Sequence, residues 1–242
     1  MHPVSNLLLP LLLMSLSSHQ QQLGKDEHAY IACYKPALTL CSWRNSQQEM
    51  ERAKRKHCEP RATLADLNIT IPHNLSTKEP LHTVGRLDRD SEGLLLLTTD
   101  GALTSQVTGT GCVKTYYALV DGIPSNEKLD KLRLGGLKIR GSRIRPPVSV
   151  SMLTDDLDLE VKMSLPPPAQ GMDRPKASTT WLKIQLNEGK NRQVRRMTAS
   201  IGHRTIRLVR VQIGAMGLNG LQAGAWRIFD PQELTSTAQE TS

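Results

Sequence analysis

Four consecutive leucines, Leu94 to Leu97, stand between Gly93 and the turn-forming run Thr98-Thr99-Asp100-Gly101. A segment apolar at every position, and closed this sharply, reads as a short strand buried on both faces. Directly before it, Arg86, Asp88, Arg89 and Asp90 crowd four charges into five positions. The Asp88 and Asp90 carboxylates therefore stand at the mouth of a buried element. Loops carried on rigid strands are frequent seats of catalytic groups. A solvated charged loop is the plainer reading of the same composition.

The rest of the chain supplies many strands and few helices. Tyr30 to Pro36 reads as a strand ended by its proline. Gln47 to His57, with Arg52, Lys54, Arg55 and Lys56, reads as a surface helix or insertion, and Thr63 caps a helical turn to Leu67. A short helix is expected over Ala102–Val107, and a strand over Lys114–Val120 from its aromatic and β-branched content. Pro124-Ser125 opens an amphipathic helix that Gly135-Gly136 ends. Strand-like segments follow at 137–145 and 148–153. Leu157, Leu159, Val161, Met163 and Leu165 alternate at period two and predict another strand, as do Thr180, Leu182, Ile184 and Leu186. The proline-rich stretch 166–176 is a loop. Together these predict an α+β fold built from hairpins rather than repeating βαβ units.

A second informative stretch runs from Asn187 to Met197. It follows a strand and opens a helix to about Ile201, with Gly202 as the stop. Val194, Met197 and Ile201 share the buried stripe of that helix; Arg192 and Arg196 point away from it, and Arg195 lies on its shoulder. Lys190 and Arg192 beside the helix N-terminus make a natural phosphate seat, though a basic solvent face has the same composition. Arg204, Arg207 and Arg210 then alternate with apolar residues along a predicted strand.

The net charge of +8 and pI near 9.5 favour an anionic partner, nucleic acid or acidic membrane. The four cysteines, Cys33, Cys41, Cys58 and Cys112, have no C-x-x-C or metal-ligand spacing, which predicts reduced thiols. The apolar run at 7–16 is too short for a membrane span, so residues 1–28 are expected to be a leader or disordered segment.

In order along the chain, Tyr34-Lys35-Pro36, Gly85 to Leu94, Lys114-Thr115-Tyr116, Gly189 to Met197 and Leu208 to Gly214 resemble the motifs of the ribosomal RNA pseudouridine synthases of the RsuA/RluE type, and the RluE-like branch in particular. The tyrosine at position 34 departs from the usual asparagine, and 43–61 and 166–177 read as insertions. The resemblance implies a pseudouridine synthase fold: a mixed, mostly antiparallel sheet flanked by helices, with two subdomains around a central catalytic cleft. It implies a catalytic domain over 29–232 and a flexible tail over 233–242.

The activity implied is isomerisation of a specific uridine to pseudouridine in ribosomal RNA, preferably of the large subunit, with no cofactor and no metal. By the same resemblance Asp88 is the nucleophile, Tyr116 packs against the target base, and Arg195 pairs with the catalytic carboxylate. Arg86, Lys114, Lys190, Arg192, Arg196 and Arg210 are the candidate RNA-binding residues. The expected partner is ribosomal RNA, for a monomer without membrane contact, wherever bacterial-type ribosomes are: a bacterial cytoplasm, a mitochondrion or a plastid. A phosphatase built on Asp88-x-Asp90 conflicts with Glu92 at its threonine position and with the missing βαβ pattern. A glycosidase using Asp88 and Glu92 suits a basic chain less well than RNA does. A non-catalytic RNA-binding or ribosome-assembly protein is the remaining alternative, and it has no need of Asp88, Tyr116 and Arg195 together.

Overall fold

The leucine run lies in β3 (Glu92–Thr98), and every residue of that strand is buried. Alternation divides its side chains between two layers: Leu95 and Leu97 enter one apolar cluster, Leu94 and Leu96 the other. The computed structural model describes residues 28–71, 80–139, 141–154, 156–172 and 178–235. Apart from residue 28, the expected leader lies outside them.

One edge of β3 pairs antiparallel with β1 (Tyr30–Lys35) along its whole length, Tyr30 opposite Thr98 and Lys35 opposite Gly93. The other edge is shared. At its far end β2 (His82–Thr83) pairs antiparallel; at its start β9 (Thr205–Ile213) pairs parallel, through Glu92–Val209 and Gly93–Arg210. Gly93 has φ +104°, and a Cβ there would lie 2.3 Å from the Arg210 carbonyl oxygen, so close approach requires glycine.

Among the described residues the sheet has nine strands. Its order is β11 (Trp226–Ile228), β1, β3, β9, β4 (Lys114–Asp121), β8 (Thr179–Leu186) and β7 (Ser149–Met152). β10 (Met216–Gly217) adds to β9, and β5 (Lys138–Ile139) with β6 (Ser142–Arg143) forms a separate hairpin. All these pairings except β3–β9 are antiparallel, as the sequence predicts.

Helices cover both faces. On one, α3 (Asn126–Leu134) brings Leu129 and Leu132, and α5 (Gln193–Ser200) brings Val194 and Met197, with Ile201 just beyond it. On the other, α2 (Gly101–Thr108) brings Leu103 and Val107. Asp100 starts α2 by accepting from the amides of Ala102 and Leu103 at 2.8 and 3.1 Å. A fourth helix, α1 (Gln47–Arg55), buries Glu49 and Ala53 alone. No helix among the described residues is long and apolar enough to cross a membrane.

Two boundaries differ from the sequence expectation. The period-two run at 157–165 is not a strand but contributes α4 (Asp156–Met163). Helical spacing selects what is covered: Asp158 accepts from Tyr117 Oη at 2.6 Å and Lys183 Nζ at 2.9 Å, while Val161 and Leu165 pack on the second cluster. Met163 is left 78% exposed. Residues 233 and 234, assigned to the tail from the sequence, belong to a capped 3₁₀ turn, Pro231–Leu234, whose Leu234 is buried in the second cluster.

Candidate active site

The charged loop 84–91 joins β2 to β3 where β9 and β2 divide the same strand edge. At the loop's start the Val84 amide donates to the Leu96 carbonyl at 2.8 Å. At its end the Ser91 amide donates back to the Asp88 carbonyl at 3.1 Å and closes a tight turn behind the aspartate. The loop therefore fills the wedge in a split sheet, and its conformation is fixed from two sides.

From below, Lys35 is fully buried at the end of β1 and donates to the carbonyls of Pro36 and Thr39, each at 2.8 Å, and of Arg89 at 3.5 Å. Burial pushes its ammonium pKa down to about 8. From the side comes α5, whose N-cap residue Arg192 has φ 53°. Its guanidinium forks onto Asp90, Nη1 to Oδ1 at 2.9 Å and Nη2 to Oδ2 at 2.8 Å. The same Nη1 lies 3.6 Å from Asp88 Oδ2. Arg195 donates through Nη2 to the Asp90 carbonyl at 2.7 Å and through Nη1 to the Thr205 carbonyl at 3.0 Å, with Nε 3.4 Å from Asp90 Oδ2. Burial works to raise the Asp90 pKa, but Arg192 and Arg195 outweigh it and hold the carboxyl below its ordinary range.

The resemblance pairs Arg195 with Asp88. In the structure Arg195 binds Asp90, two residues on, and Asp88 has Arg192 as an ion-pair partner. Asp88 itself faces a cleft of about 600 Å³ together with Arg86, Arg89, Tyr116, Lys190 and Arg192. Tyr116, from the central strand β4, packs in the first cluster and lines the same cleft. Residues 88 and 116 are thus brought together; Arg195 stands behind them as a brace on the loop.

The six candidate RNA-binding residues separate. Arg86 and Arg192 are exposed on the cleft, and Lys190 lines it while donating to the Arg143 carbonyl at 2.6 Å. Arg196 is half-buried on α5, 3.2 Å from Asn191 Oδ1. Lys114 and Arg210 differ from the other four in being buried. Lys114 lies 3.5 Å from the Gly109 carbonyl, with its pKa lowered by burial, and Arg210 Nε donates to the Leu94 carbonyl at 2.7 Å. Arg207 is buried too and forks onto Glu92 at 2.7 and 3.2 Å, so the basic residues of β9 serve the sheet before they serve any ligand. The sequence reading missed the bracing by Lys35 and the cleft positions of Leu40 and Cys41. A lysine closing an apolar strand just before a proline was the one available signal.

Residues 29–200 match the family described as RNA pseudouridylate synthase. The chain belongs to that family. Among curated pseudouridine synthases it is 40% identical over 167 residues to the ribosomal large subunit pseudouridine synthase E of Vibrio parahaemolyticus, a match covering 68% of this chain and 66% of that protein. It is 37% identical over 183 residues to the synonymous protein of Xanthomonas campestris, covering 72% and 87%. The chain thus spans slightly less than two thirds of the length of the Vibrio synthase. A solved pseudouridylate synthase superposes with a TM-score of 0.61 at 23% identity, covering 86% of this chain and 73% of that one, and so shares the fold. The pseudouridine synthase fold expected from the motifs is the fold observed.

Proposed function

We propose that this chain isomerises a uridine of large-subunit ribosomal RNA to pseudouridine, with Asp88 as the nucleophile. One observation carries the assignment: Asp88, on the loop between β2 and β3, and Tyr116, on β4, line a single cleft, and that loop is clamped by Arg192 and Arg195 of a third element. The large-subunit synthases among its relatives support the substrate class.

The reaction breaks the N1–C1′ bond, turns the base and forms C5–C1′, moving a proton from C5 to N1. An ionised carboxylate suits covalent catalysis of the first step, and attack at the sugar or at the base ring is open to the same group. Arg192 lies beside Asp88, with Nη1 3.6 Å from Oδ2, and helps hold the carboxylate in place. Tyr116 supports the flipped base and accepts or relays the C5 proton. A cleft of about 600 Å³ is of the size that takes small ligands, and a flipped nucleotide is one. Arg86, Lys190, Arg192 and Arg196 hold the flanking phosphates, with donors to spare beyond those already engaged.

The test is a carbodiimide map of ribosomal RNA from a strain lacking the protein. One pseudouridine stop disappears, wild-type protein restores it and Asp88→Asn does not. Full restoration by Asp88→Asn refutes the assignment.

A further inference from the structure

The segment 43–61 is one of the two stretches where this chain departs from the family's motif pattern, and its build differs from the rest of the fold. It leaves and rejoins the domain through a narrow neck, where the Leu40 amide donates to the Ala62 carbonyl at 2.7 Å and the Leu64 amide to the Ser42 carbonyl at 2.9 Å. Leu40 and Cys41, on the outgoing side of that neck, line the cleft. The segment is therefore an arm rooted at the lip of the candidate active site.

Its helix, α1, holds together from within. Ser46 caps it, accepting from the Glu49 amide at 3.2 Å. Glu49 is buried and accepts from Arg52 Nε at 2.9 Å and from the Arg61 amide at 3.2 Å, tying the helix to the returning strand of the neck. Ala53 is the sole apolar residue that the helix buries, and Met50 is 51% exposed. A helix placed this way adds little to the core. What it displays is charge: with Arg52 and Arg61 committed to Glu49, Arg44, Lys54, Arg55 and Lys56 remain exposed, against exposed carboxylates at Glu51 and Glu59. The helix dipole accounts for cations in the last turn, but Arg44 precedes the N-cap, at the end where the dipole disfavours a cation.

We propose that this arm is an RNA-binding element, gripping phosphates of the strand or stem that flanks the nucleotide entering the cleft. It rests on the proposed function for the identity of that RNA. An arm fixed at the cleft lip, presenting four exposed cations against two exposed carboxylates, with none of the four in an ion pair among the described residues, has the chemistry of a backbone clamp, which adds affinity without reading sequence.

The test compares the full chain with two separate variants, Arg44→Ala and Lys54→Ala/Arg55→Ala/Lys56→Ala, all at exposed positions. Binding to an unmodified large-subunit ribosomal RNA transcript is measured from low to high salt, and pseudouridine formation by the wild type is assayed in parallel. The triple variant is expected to bind about tenfold more weakly near physiological salt. Its slope of log K against log salt should be shallower by about 2, and by about 1 for Arg44→Ala. Affinity and slope equal to wild type in both variants overturn the arm. If the wild type forms no pseudouridine while the variants still lose affinity and slope, the arm stands and the proposed reaction falls.

Discussion

Tyr34 donates its hydroxyl to Glu92 across 2.9 Å, deep in the layer opposite the cleft. The tyrosine stands where the family pattern carries asparagine, and the hydroxyl pKa is raised by burial and by the neighbouring carboxylate. Glu92 is shared with Arg207, whose guanidinium also donates to the Pro166 carbonyl at 2.7 Å. This trio fastens the first residue of β3 to β9, and so sets the root of the loop that carries Asp88. Removing one partner of a buried pair strands the other, so Glu92→Ala should lose about 3–5 kcal/mol in urea unfolding. Tyr34→Phe should lose roughly 1.5–3 kcal/mol, and a double-mutant cycle between the two positions should show coupling.

Asp88→Asn keeps the shape of the loop and removes the proposed nucleophile. Single-turnover rates should fall at least about a thousandfold. Thermal stability should stay within about 1 kcal/mol, because the side chain is partly exposed and its ion pair is long. A stable, well-bound and fully active Asp88→Asn protein would be incompatible with the mechanism.

Asp90→Asn separates the brace from the chemistry. It weakens the fork from Arg192 and lets the Asp88 turn move, which should cost on the order of 10–100-fold in kcat/KM. It also has a pH signature. Because the folded carboxyl titrates below its unfolded value near 3.9, the stability it supplies is complete above that pH and is lost as pH falls through the depressed value. The stability difference between wild type and Asp90→Asn should therefore shrink as pH drops below about 4.

Lys35 titrates in the same direction at the other end of the pH scale. Its folded pKa of about 8 lies below the unfolded value near 10.4, so the unfolded chain binds more protons between those limits. Relative to Lys35→Met, wild-type stability should rise as pH is raised from 8 to about 10. At neutral pH the variant should still be the weaker protein by about 1–3 kcal/mol, since the Pro36 and Thr39 carbonyls lose their buried donor. Guanidinium unfolding of both proteins at several pH values tests both signs.

Gly93→Ala should be severely destabilising. The new carbon would meet backbone, not a side chain that can swing aside, and the residue would also keep φ near +104°. A loss above about 4 kcal/mol, seen as insoluble or unfolded protein by circular dichroism, is expected.

Local chemistry explains what could be read in advance. Leu94 to Leu97 carry their own two-layer burial, and Pro124-Ser125 with Gly135 brackets α3 unaided. Motif order singled out Asp88 and Tyr116, and both line the cleft. The 157–165 segment misled because short helices with a ragged stripe also satisfy alternation; its true anchor is polar Asp158, set by Tyr117 and Lys183 far along the chain. Arg210 read as ligand-facing, and Arg207 as part of the same basic strand, because charge on a strand suggests a surface. Their partners, Glu92 and the Leu94 carbonyl, lie more than a hundred residues away and leave no local trace.

The parallel contact between β3 and β9 joins Glu92 with Val209 and Gly93 with Arg210. It closes a loop of well over a hundred residues, and such closures come late and slowly in folding. Chain growth therefore delivers Asp88 and Tyr116 long before it delivers the wall that seats them. A nascent or truncated chain ending before β9 would hold Asp88 without the Leu208 side of the cleft, and Arg195 without the Thr205 carbonyl that accepts from it. Catalytic competence is in this sense a completeness check: the chain acquires its site when its last long strand docks.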